Sequence, residues 1–88
     1  MKDMNVVDEQ QGGKHPLAPV YATRRANLVL LVDQHEGKSN LAGALGLTNG
    51  SYISQLLSEN RSFTEKAARD IERKLGLQFG WLDMKRAG

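Results

Sequence analysis

Histidine, the side chain best suited to proton transfer and metal binding near neutral pH, occurs twice in this 88-residue chain, at His15 and His35. His35 neighbours Asp33 and Glu36, but a metal site needs three or four converging ligands, and a helix does not aim positions 33, 35 and 36 at one point. The chain holds no cysteine, which excludes disulfides, thiolate metal sites and a catalytic thiol. Serine, histidine and aspartate occur without a G-x-S-x-G frame to assemble them, so hydrolase chemistry is not expected. Gly43-Ala44-Leu45-Gly46 follows a helical turn rather than a strand and does not read as a phosphate loop. We therefore expect no catalytic residue, no metal and no cofactor.

The residues that do suggest a role are neutral hydrogen-bonding groups. Asn49, Ser51, Tyr52, Ser54, Gln55 and Ser58 form a polar surface with no acid until Glu59. Amides and hydroxyls suit base edges and phosphate oxygens, whereas a carboxylate among them would repel a phosphate. The net charge of +2 is weak evidence by itself, but it is unevenly spread. Residues 1–22 carry −1 and residues 23–88 carry +3, so the foldable part is the basic part.

Helices must hold such a surface in place. Residues 1–21 read as a flexible tail, because Asp8-Glu9-Gln10-Gln11-Gly12-Gly13-Lys14-His15-Pro16 has no apolar period. Thr23 is the expected cap of a first helix over 24–36, with Leu28, Leu31, Val32 and His35 on one stripe and Gly37 as its stop. The run 28–32 would also suit a buried strand, but no second strand exists to pair with it. Ser39 is expected to cap a second, short helix with Leu41, Ala42 and Leu45 inward, and Gly46 to end it in the left-handed conformation. A third short helix, about 51–58, turns Ile53, Leu56 and Leu57 inward. Ser62-Phe63-Thr64-Glu65 reads as a capping box opening a fourth helix to Leu75, with Phe63, Ala67, Ile71 and Leu75 on its inner stripe. Gly76 ends that helix, Trp81-Leu82 closes the bundle, and Trp81 is expected in the core. Arg69, Arg73 and Lys74 read as a solvated face beside Glu65, Asp70 and Glu72.

The spacing in residues 38–58 is that of two short helices around a glycine turn, the arrangement that lets a second helix enter the major groove. Leu41-Ala42-x-x-x-Gly46-Leu47 followed by Ser51-Tyr52-Ile53-Ser54-Gln55-Leu56-Leu57 resembles the lambda-repressor-like helix-turn-helix family, the phage repressor and Cro type. Glu65-Lys66-Ala67-Ala68-Arg69-x-Ile71-Glu72, Leu75-Gly76-Leu77 and Trp81-Leu82-Asp83 look like that family's fourth and fifth helices. The resemblance spans about 24–83, with one departure. Ile53 stands seven positions after Gly46 where many members place the buried aliphatic at six, so the turn is one residue longer.

The resemblance implies an all-α, compact four- to five-helix bundle over 22–83, with 84–88 as a C-terminal tail or linker. It implies a sequence-specific, double-stranded DNA-binding transcriptional regulator of repressor type, cytoplasmic and bacterial or phage-encoded. It further implies a homodimer on a near-palindromic operator. Gln55 is then the base-reading residue, Asn49 and Ser51 meet bases or phosphates at the helix entrance, and Thr48 and Tyr52 flank them. Lys38, Ser39, Asn40 and Arg61 approach the backbone, with Arg24, Arg25 and Lys14 as lesser contacts. The competing expectation is a protein-interaction module of the same fold, an antitoxin or anti-activator, docking a partner through its helical face. The chain is expected to be either a standalone regulator or a truncated DNA-binding domain.

Overall fold

The computed structural model describes residues 16–59 and 61–86. His15 and Lys14, with most of the expected tail, lie outside the described residues. Four α-helices follow one another, α1 (Ala18–Gln34), α2 (Lys38–Ala44), α3 (Ser51–Leu57) and α4 (Glu65–Leu75), and a short 3₁₀ helix covers Trp81–Asp83. Among the described residues there is no strand, and no helix is long and apolar enough to cross a membrane.

Helix α1 begins at Ala18, well before the expected start. Pro16 and Pro19 resemble tail punctuation, yet proline is well tolerated in a first helical turn, where its missing N–H has no intrahelical acceptor. Thr23 is consequently interior, and its hydroxyl donates back to Pro19 O at 3.1 Å. At the other end the left-handed position falls on Glu36 (φ 64°) rather than on Gly37. Gly37 N–H donates to Val32 O at 2.9 Å and Glu36 N–H to Asp33 O at 3.0 Å, the paired bonds of a Schellman ending. Gly37 then serves as the N-cap of α2, so Ser39 lies inside the first turn and is not the cap. A side chain at the left-handed position is costly, so Glu36→Gly is expected to raise the unfolding free energy by about 0.5–1 kcal/mol. A urea titration measures this as an increased midpoint with an unchanged slope.

The core is formed by Leu28, Leu31, Leu41, Ala42, Leu45, Ile53, Leu56, Phe63, Ala68, Ile71 and Leu82, all buried. The α4 cap is Thr64, whose hydroxyl accepts from Ala67 N–H at 3.2 Å, rather than Ser62. Phe63 explains the shift. It is fully buried at the position before the cap and belongs with the equally buried Ala68, a hydrophobic staple that fixes where the chain enters the helix. The inner side of α4 is accordingly Ala68, Ile71 and Glu72, with Ala67 and Leu75 half-buried.

A polar clasp holds the C-terminal 3₁₀ helix to α1 and α4. Arg24, only 6% exposed, donates to both carboxylate oxygens of Asp83 at 2.6 and 3.2 Å and to Phe63 O at 2.7 Å. Asn27 donates to Leu82 O and Met84 O, each at 2.8 Å. Glu72, 2% exposed, accepts Gly80 N–H at 2.9 Å and Leu82 N–H at 2.8 Å while pairing with Arg69 at 2.8 Å. Arg69 also reaches Asp83 at 3.1 Å. Arg69 and Glu72 therefore belong to the interior rather than to a solvated face; Arg73, Lys74 and Asp70 do form one. Leu82 is the fully buried anchor, and Trp81 is half-buried with the Arg86 guanidinium over its ring at 3.7 Å.

The Arg24 guanidinium, with Arg69 behind it, outweighs partial burial and holds the Asp83 carboxyl below the usual carboxylate range. A carboxyl with a lower pKa folded than unfolded stabilises fully above its unfolded value. That contribution is lost as pH falls through the lowered folded value. Stability is thus expected to drop below about pH 4, the ordinary aspartate range. Urea midpoints compared at neutral and acidic pH should show Asp83→Asn with a smaller drop than the parent.

Candidate nucleic-acid interface

The connection at residues 45–50 sets the relation of α2 to α3. Gly46 takes φ 77°, open to glycine at little cost, and the chain closes with Leu47 N–H on Ala42 O at 2.8 Å and Gly46 N–H on Gly43 O at 3.0 Å. Leu47 packs against the core from this turn. Asn49 then accepts Ser51 N–H on its side-chain oxygen at 2.8 Å, an Asx turn that opens α3. Gly50 eases the approach: a Cβ there would sit 3.1 Å from Lys38 Cβ, tighter than ordinary contact. Without a side chain at 50, the first turn of α2 lies directly against the entrance of α3.

That approach brings the candidate residues together. Lys38 Nζ donates to Ser54 Oγ at 3.2 Å, joining the start of α2 to the middle of α3. On α3, Ile53 and Leu56 are buried and Leu57 is half-buried, while Ser51, Ser54 and Gln55 face solvent, followed by Ser58. Thr48 and Asn49 are exposed at the entrance, and Lys38, Ser39 and Asn40 are exposed on α2. Tyr52 packs its ring on the core while remaining half-exposed. Arg61 is exposed beyond α3, its N–H on Ser58 O at 3.2 Å. Asn40 turns away, donating to Glu36 O at 3.4 Å, and so belongs more to the α1–α2 junction than to the α3 side.

Arg24 is not part of this surface, being committed to the clasp. Ser54 was expected on the polar side of α3 but was given no contact. Its spacing alone put it on the polar side; its contact with Lys38 depends on the turn geometry. Among the described residues no group of three His, Cys, Asp or Glu side chains is placed to hold a metal ion. His35 Nδ1 lies 2.9 Å from Leu31 O in the last turn of α1.

Chemically, the α2–α3 face offers hydroxyls, the exposed carboxamide of Gln55 and the cation of Lys38, and Glu59 and Arg61 are exposed after α3. Such a set can donate to phosphates and can both donate to and accept from a base edge. Comparison with protein families, with characterised proteins and with solved structures gives no match to this chain.

Proposed function

We propose that this protein is a sequence-specific, double-stranded DNA-binding regulator of the lambda-repressor-like helix-turn-helix type, acting most simply as a repressor. The observation that carries the reading is the continuous exposed polar face built by α3 and the start of α2, linked through Lys38 and Ser54 and opposite the buried Ile53 and Leu56. An α-helix with its side chains is about 10–12 Å across, which suits a major groove about 12 Å wide. Gln55, one turn into α3, is the base-reading residue, suited to bidentate contact with adenine. Lys38 and Arg61 bind phosphates, and Thr48, Asn49, Ser51 and Tyr52 frame the groove entrance. The protein binds a near-palindromic operator as a homodimer in the cytoplasm, without a cofactor and without enzymatic activity.

Two substitutions separate base reading from backbone binding. Gln55→Ala is expected to narrow the affinity ratio between cognate and scrambled duplexes by about five- to a hundredfold, the usual worth of one bidentate base contact. Lys38→Ala is expected to weaken both duplexes alike and to lower the salt slope by about 1. Fluorescence anisotropy on the two duplexes across a salt series reads both effects. If neither ratio nor slope moves, the assignment fails.

A further inference from the structure

The outward side of α1 is apolar where a surface helix ordinarily turns polar residues to water. Leu28 and Leu31 are buried in the bundle, yet Val29 is 53% and Leu30 36% exposed on the other side. Ala22, Ala26, Val29 and Asp33 recur at i, i+4, i+7 and i+11, which aligns them as one stripe. Beside the stripe lies a groove of about 380 Å³, lined by Ala22, Ala26 and Leu30 together with Lys85 and Arg86.

Charge is divided along this helix. Arg25 stands in its N-terminal half, where Lys85 and Arg86 line the groove beside Ala22 and Ala26. Asp33 and Glu36 stand at its C-terminal end. Arg25 and Asp33 are placed symmetrically, four residues before and four after Val29. An antiparallel crossing of two such helices on a two-fold axis at Val29 therefore sets Arg25 of each copy against Asp33 of the other. It also brings Glu36 of the second copy to Ala22, beside the basic rim of the groove. The two alanines leave room for close approach.

We infer that the occupant of this face is a second copy of the same chain, packed antiparallel α1 against α1 in an isologous dimer. The parallel alternative would bring Arg25 against Arg25 and Asp33 against Asp33. A single helix face falls at the small end of specific interfaces, so the dimer is weak and depends on concentration. The α1 interface rests on the homodimer of the proposed function, and because its test uses no DNA, it can fail while α3 still binds DNA.

Sedimentation equilibrium of the full chain, from ~1 µM to ~1 mM, tests it. The parent is expected to pass from monomer to dimer across that range, and Val29→Glu, which sets two carboxylates face to face, to remain monomeric. Arg25→Asp and Asp33→Arg should each weaken the dimer roughly tenfold, since two symmetry-related pairs are lost. The double variant Arg25→Asp/Asp33→Arg should return it to near the parent value. The three positions changed here, Arg25, Val29 and Asp33, lie on α1 outside its buried residues, and unchanged thermal midpoints in dilute solution check that the variants fold. A monomer throughout, a dimer indifferent to Val29→Glu, or single reversals not rescued by the double would each overturn the inference.

Discussion

Glu72→Ala is expected to lower the unfolding free energy by about 3–5 kcal/mol, the range seen when one partner of a buried charge pair is removed. Three groups lose their acceptor together. Gly80 N–H and Leu82 N–H, now bonded at 2.9 and 2.8 Å, would be left unsatisfied, and Arg69 would keep Asp83, the more distant Glu65 and the Phe79 ring. Each buried donor left without a partner costs about 1–3 kcal/mol, and the fully buried Leu82 would lose its fixed approach. Small domains have stabilities of about 5–15 kcal/mol, so the loss is a large share of the whole. Glu72→Gln keeps the shape and one acceptor and should cost less. Urea denaturation of both variants reads the difference. A cost near zero for alanine would mean that the clasp does not hold the C-terminal turn.

The second large effect is expected on binding. Lys38→Glu combined with Arg61→Glu replaces the cation of the α2–α3 face and the one after α3 by two anions. Duplex affinity is expected to fall by about a hundredfold or more near 0.1 M salt, with a salt slope smaller by about 2, because two phosphate contacts no longer release counterions. Both side chains are exposed, so the thermal midpoint should stay nearly constant. A docking module for an uncharged protein partner would show little salt dependence in the same measurement.

Much of the scaffold was legible in the sequence because its signals are local. Gly46 followed by Leu47, and Gly76 followed by Leu77, announce helix ends that the structure closes with the same pair of backbone bonds. The alternation of Ile53 and Leu56 with Ser54 and Gln55 placed the polar side of α3 outward, as it stands. What escaped depends on distant partners. The sequence suggests Arg24 only as a lesser backbone contact and does not single out Asn27, because their acceptors on Leu82, Asp83 and Met84 lie at the far end of the chain. Helical periodicity reports which residues share a side, not whether a charged one will find a buried partner there. Trp81 and Leu82 are adjacent and both apolar, and only the docking of the 3₁₀ helix decides that Leu82 points inward. Glu36 could not be foreseen at a left-handed position with Gly37 next to it; the geometry of the α1–α2 turn gives that glycine the capping place instead.

The central claim, that α3 reads duplex DNA, is tested most directly by selecting bound duplexes from a random pool and titrating the best one into isotopically labelled protein. The account predicts a recurring half-site motif. It also predicts amide shifts concentrated at residues 38–40, 48–58 and 61, with the side-chain amide of Gln55 among the largest. A pool that yields no motif, or shifts centred on α4 and the C-terminal turn instead, would contradict it.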